Sequence, residues 1–129
     1  MDILIPAALE DVVSIENAEK VRPKILAEMA NGPTTREAEE VLISNGVHII
    51  PDILYNGGGV IVSYFEMVQN ESSIQWDEKE VEMRLEKKMK EAYHSVFDFA
   101  EKNNAGMRQA AYTLAVGRVV EAMQLRGWI

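Results

Sequence analysis

The sequence predicts an α/β fold, in which a small parallel sheet with its helices is followed by a wholly helical carboxyl-terminal segment. Three observations predict it. Short apolar runs stop at proline, Ile3-Leu4-Ile5 before Pro6 and residues 47–50 before Pro51, and such continuous apolar runs suit strands buried on both faces. A punctuated helical pattern lies between a second candidate strand at 24–28 and the third at 47–50, giving a right-handed βαβ unit with short joints. Beyond residue 76 only helical periodicity remains.

The helix between the strands has a start, a stripe and a stop. Thr34 stands three residues before Glu37 in a capping-box pattern, Ala38, Val41 and Leu42 form the apolar stripe, and Gly46 ends it. The stretch 56–70 is open on its residues alone. Val60-Ile61-Val62 favours a strand, and each of Gly57, Gly58 and Gly59 costs a helix up to ~1 kcal/mol relative to alanine. Further on, Asp77 caps a long helix with Glu80 at the third position and Trp76 placed to staple against Val81. Val81, Leu85, Met89, Ala92, Val96 and Ala100 make its stripe, while Glu80–Arg84 and Glu86–Lys90 are favourable i,i+4 pairs. Asn103-Asn104-Ala105-Gly106 breaks the pattern. A last helix over about 107–125 is kept slim by Ala110, Ala111, Ala115 and Gly117. Met67, Met83, Met89, Met107 and Met123 fall on helical patterns and are expected to pack.

Composition narrows the function classes. At 129 residues with 47% hydrophobic content the chain is one domain's worth and can bury a core. A net charge of −8 argues against nucleic acid, which needs a basic surface to neutralise phosphates. The absence of cysteine removes disulfides and thiolate chemistry, as suits a reducing cytoplasm. No apolar stretch is long enough to span a bilayer, and the acidic, proline-containing start is unlike a signal peptide. His48 and His94 have no companions at metal-ligand spacing, so no metal is expected.

Two runs carry the functional signal: Ala30-Asn31-Gly32-Pro33-Thr34-Thr35 and Pro51-Asp52-Ile53-Leu54-Tyr55-Asn56-Gly57-Gly58-Gly59-Val60-Ile61-Val62-Ser63. Each sets an asparagine and glycine where a strand-like stretch gives way to a helical one, the junction at which open α/β sheets bind ligands. Ser63 follows Asn56 by seven residues, so the two share one face of a helix running on from the glycines. Glu28 and Asp52, at strand ends near the same cleft, read as structural hydrogen-bonding residues. Together with Asp2-Ile3-Leu4-Ile5-Pro6-Ala7-Ala8-Leu9 and the ending Leu125-Arg126-Gly127-Trp128-Ile129, these runs resemble the glutamate dehydrogenase (Glu/Leu/Phe/Val dehydrogenase) family, in its carboxyl-terminal part.

The resemblance implies the distal part of a doubly wound, Rossmann-like domain. Residues 1–75 would be a partial nucleotide-binding domain, with 56–70 helical, and 76–129 a helical segment packing on it. It implies the cofactor- and substrate-binding half of an NAD(P)-dependent enzyme that converts glutamate to 2-oxoglutarate and ammonia. Asn31 and Asn56 would face the nicotinamide half of NAD or NADP, with Ala7 and Ala8 in the loop beside it. Ser63 would hydrogen-bond the side-chain carboxylate of the substrate, with Val60 bordering that pocket, and the three glycines would let a ligand lie against the backbone. Met29 stands where the family usually has glycine, and Tyr55 and Gly57 where it has alanine. Gly57-Gly58-Gly59 is not a G-x-G-x-x-G fingerprint, and no residue here matches the family's catalytic lysines and aspartate, which belong to its amino-terminal domain. The chain alone is therefore expected to be inactive and to hold NAD(P) weakly if at all. It is also expected to form homo-oligomers, because a cut sheet exposes a strand edge. The alternative is a non-catalytic remnant, or an interaction subunit that completes a split dehydrogenase.

Overall fold

The structure, a computed structural model, describes residues 1–129. Three parallel strands lie in the order β1 (Ile3–Leu4), β2 (Ile25–Ala27), β3 (His48–Ile50). Helix α1 (Arg36–Ser44) crosses from β2 to β3, and α2 (Asp52–Tyr55), α3 (Gly58–Ser72), α4 (Glu78–Asn103) and α5 (Met107–Leu125) follow. This is the expected α/β architecture with its helical carboxyl-terminal part, and 58–72 is helix. Gly58 lies beside α4, where a Cβ would make ordinary contact with Leu85 and Met89 at 3.8 and 3.9 Å. No helix is long and apolar enough to cross a membrane.

Register explains the core. Leu4, Leu26 and Ile49 stand side by side across the sheet and project into a cluster with Val13, Ala18, Ala38, Leu42 and Val47. Alternation sends Ile3, Ile25 and His48 to the opposite face. There α4 covers only the β3 side: Tyr93 lies 3.1 Å from the His48 ring nitrogen, and Phe97 stacks on Tyr93. A second cluster of Leu54, Val96, Ala100, Ala110 and Ala111 joins α2, α4 and α5, with Ile50 packed against it. The alanines let α4 and α5 approach closely, as their sequence spacing predicts.

Helix ends follow local rules, with one correction. The α1 cap is Thr35, whose Oγ1 accepts from Ala38 N–H at 3.3 Å, rather than Thr34. Thr34 is drawn into a parallel bridge with Val13, which buries its side chain. At the other end Gly46, at φ +78°, donates to Ile43 O, and Val47 donates to Leu42 O. That is a Schellman closure. Asp77 caps α4 by accepting from Glu80 N–H at 2.8 Å, and the Glu80–Arg84 and Glu86–Lys90 pairs form. Trp76 packs edge-on against Phe65 with the Arg84 guanidinium 4.2 Å above its ring. Gln69, buried in α3, accepts from Trp76 N–H at 2.6 Å and so fixes the α3–α4 turn.

Two packing expectations fail. The first strand is not buried on both faces, because β1 is an edge: Ile3 is 55% and Ile5 46% exposed, and only Leu4 packs inward. Met67 and Met83 point to solvent, whereas Met89, Met107 and Met123 are half-buried. Helical spacing alone does not say which stripe faces the core.

Candidate functional site

The carboxyl ends of β2 and β3 meet at one place. β2 runs through Glu28 into the exposed turn Asn31–Gly32, with Gly32 at φ +54°, a conformation glycine adopts without strain. β3 stops at the buried Pro51, and α2 starts at Asp52. Asn56 ends α2, and it and Gly57 both stay in the right-handed helical region on the way into α3. Asn31 and Asn56 are thereby brought together: Asn56 Nδ2 donates to Asn31 Oδ1 at 2.6 Å. Their remaining groups, Asn31 Nδ2 and Asn56 Oδ1, have no partner within the chain, leaving one donor and one acceptor side by side.

The other expected site residues are distributed around this pair. Pro6 O accepts from Met29 and Ala30 N–H at 3.0 and 2.9 Å, which sets the exposed Ala7–Ala8 loop beside the Asn31 turn. Val60, with Asn31 and Asn56, lines a cleft of about 550 Å³ between α2, the start of α3, α4 and α5, whose walls include Leu54, Val96 and Ala111. Ser63 is exposed one turn beyond Val60 and outside that lining; its hydroxyl donates to Gly59 O at 3.0 Å, a helix back-bond. Of the three glycines expected to admit a ligand, only Gly59 faces open space. Gly58 is set beside α4, and a Cβ on Gly57 would lie in contact with Leu54 O at 3.4 Å, so neither faces open space.

Beneath the asparagines lies an ionic cluster that no sequence pattern marks. Arg108, in the first turn of α5, donates from Nη2 to Glu28 Oε2 at 2.6 Å, from Nη1 to Asp52 Oδ1 at 2.8 Å and from Nε to Glu39 Oε2 at 2.5 Å. Glu28 is fully buried, and its Oε2 also accepts from Asp52 N–H at 2.9 Å. Asp52 Oδ2 accepts from Gly32 N–H, and Oδ1 from Ile53 N–H, each at 2.8 Å. Burial pushes the Asp52 carboxyl up, but those two amides and the Arg108 charge outweigh it and hold the group below its ordinary value. Burial also opposes the charge on Arg108, and its bonds to Glu39 and Glu28 more than reverse that, keeping the guanidinium protonated. Glu28 and Asp52 thus do the structural hydrogen bonding expected of them. No sequence signal marked Arg108, whose partners lie 56 to 80 positions upstream. No group of three or more His, Cys, Asp or Glu side chains is arranged to hold a metal ion; the three carboxylates here close on a guanidinium.

This architecture has close counterparts among known proteins. A family model described as Glutamate/Leucine/Phenylalanine/Valine dehydrogenase matches residues 1–127. The NAD-specific glutamate dehydrogenase of Clostridioides difficile is 50% identical over 128 residues, 99% of this chain and 30% of that protein. The glutamate dehydrogenase of Thermotoga maritima is 51% identical over 127 residues, 98% of this chain and 30% of that protein. The crystal structure of glutamate dehydrogenase from Peptoniphilus asaccharolyticus aligns with a TM-score of 0.91 at 46% identity, covering 97% of this chain and 32% of that one. The hetero-hexameric glutamate dehydrogenase from Thermus thermophilus, in its Leu-bound form, aligns at 0.92 and 34% identity, covering 97% and 30%. The chain thus spans about 30% of the length of the curated relatives it matches. With the family model running over residues 1–127 and the fold agreeing with solved members, the chain belongs to the glutamate/leucine/phenylalanine/valine dehydrogenase family.

Proposed function

We propose that this chain supplies the cofactor- and substrate-binding half of an NAD(P)-dependent glutamate dehydrogenase and is inactive by itself. The observation that carries the reading is the Asn31–Asn56 pair, Asn31 in the turn after β2 and Asn56 at the end of α2, with its adjacent free donor and acceptor. That donor set fits a nicotinamide carboxamide or a ribose diol, which are neutral and present both donors and acceptors. Asn31 and Asn56 hold that half of the cofactor, and the Ala7–Ala8 loop leaves it room. When bound, the cofactor supplies the hydride acceptor or donor.

Ser63 and Val60 face the substrate in this reading. The Ser63 back-bond to Gly59 is no obstacle. A hydrogen bond between neutral groups contributes about 0.5–1.5 kcal/mol, and one to a charged group about 1.5–3, so a substrate carboxylate draws the hydroxyl proton away. The cleft lining includes no lysine to take or return a proton. The test is a pair of measurements on the purified chain. It is expected to oxidise neither NADH nor NADPH with 2-oxoglutarate and ammonia, while millimolar NADH shifts the side-chain amide NMR signals of Asn31 and Asn56. Turnover above a matched blank refutes the half-site reading; NADH-induced shifts elsewhere that leave the asparagine signals unmoved refute the cofactor assignment.

A further inference from the structure

The turn that carries Asn31 has little of its own to keep its shape. Asn31 and Gly32 are both exposed, and the space around Gly32 is open. Its restraints come from other segments. Asp11 N–H donates to Gly32 O at 2.9 Å, and Gly32 N–H donates to Asp52 Oδ2 at 2.8 Å. Asp52 is also the first residue of α2, the element that leads to Asn56. One carboxylate therefore ties the two segments that present the asparagines. The other oxygen of that carboxylate is held by Arg108.

The guanidinium spends Nε, Nη1 and Nη2 on three different carboxylates, and its planar fork fixes the direction of each bond. Glu28 grips the same arginine and the Asp52 backbone N–H through one oxygen, so Asp52 is held at both its backbone and its side chain. Without the guanidinium, three like charges share the space with no cation, and Asp52 turns toward water. Gly32 then loses its acceptor. We propose that Arg108 is a positioning residue for the Asn31–Asn56 pair, setting through Asp52 the spacing of the two amides, a role that rests on those amides facing the cofactor.

The 129-residue chain, labelled with ¹⁵N and without ligand, provides the test, using Arg108→Met, Arg108→Lys and Asp52→Asn. Asparagine at 52 keeps the shape of the side chain but has one acceptor oxygen where the site needs two, so either Gly32 or Arg108 meets an amide donor. In Arg108→Met and Asp52→Asn the Gly32 amide is expected to exchange at least tenfold faster. The Asn31 and Asn56 side-chain signals are expected to move to free-amide positions while the Trp76 amide in the α3–α4 turn, held by Gln69, stays in place. Arg108→Lys falls between, since lysine cannot span three directions. An arginine with only a structural role would lower the unfolding midpoint and leave those asparagine signals unmoved in the folded molecules; that result overturns the proposal. If Arg108→Met does not fold, the other two variants decide by the same signals. No cofactor enters this readout. NADH-induced shifts in the unsubstituted chain that miss both asparagines overturn the cofactor assignment instead and leave the positioning result standing.

Discussion

Helices α1 and α5 are held in opposite ways. α1 has a threonine cap, glutamates in its first turn, Ala38 and Leu42 buried beneath the sheet, and a Schellman closure whose last residue, Val47, returns to the same core as Leu42. α5, twice as long, starts at Gly106 with no side-chain cap and no acidic residue in its first turn, and buries only Ala110 and Ala111. Its outer face is apolar: Val116 and Val119 are each 59% exposed, beside Tyr112 and Val120. α1 is stabilised by its own ends and by side chains within this chain. α5 depends on alanine packing and on one guanidinium, and presents an unmatched face.

The largest effect separates the two directly. Leu42→Ala, at a position with no exposure, is expected to cost about 3–5 kcal/mol, the transfer loss plus a cavity under the sheet, read by urea unfolding. A cost below ~1.5 kcal/mol would mean that the α1 core is far looser than its burial indicates.

Arg108→Met comes next, at about 2–4 kcal/mol. Breaking a buried ion pair costs about 3–5 kcal/mol, and the value here is reduced because the guanidinium is 24% exposed. The cluster also contributes to stability in acid through Asp52. Because the folded Asp52 carboxyl sits below its ordinary value of 3.8, its stabilisation is fully present above about that pH and is lost as pH falls through the lower folded value. Asp52→Asn is expected to flatten that part of the stability–pH curve; an unchanged acid limb would show that Asp52 carries none of it.

The α1 cap is a smaller term. Thr35→Ala is expected to cost about 1 kcal/mol, whereas Thr34→Ala, which removes a buried hydroxyl with no hydrogen-bond partner, costs less. Reversed sizes in thermal melts would return the cap to Thr34. The smallest stability effect belongs to the outer face of α5. Val119→Ser is expected to change unfolding by less than ~0.5 kcal/mol yet to reduce self-association in light scattering, since exposed apolar patches drive contact between molecules. A 14.5 kDa particle at every concentration of the unsubstituted chain would remove the basis for association through this face.

The same contrast explains what could be read in the sequence. Gly46, Asp77 and the limits of α5 were legible because caps and breakers act within four or five residues. The Asn31 motif was legible because a strand end is a local pattern; Asn56 was expected at a strand-to-helix junction and instead closes the four-residue α2, too short a helix to show a period. The cap was misplaced by one residue because Thr34 and Thr35 are chemically alike, and a bridge to Val13, twenty-one positions upstream, decides between them. Ile3 and Ile5 were assigned to a buried strand because apolar runs do not tell a central strand from an edge. Arg108, Gln69 and the His48–Tyr93 contact left no trace in spacing, since each gains its meaning from a tertiary neighbour.

The separation of Arg108 from its partners, 80 positions to Glu28, 69 to Glu39 and 56 to Asp52, also orders events in time. Contacts that close long loops carry their entropic cost before they return anything, and they form late on the way to the native state. The guanidinium is therefore expected to lock among the last groups. Its removal should quicken unfolding far more than it slows folding, because a contact absent from the transition state weighs only on the return path. The paired asparagines are then expected to acquire their geometry late, after the core has formed.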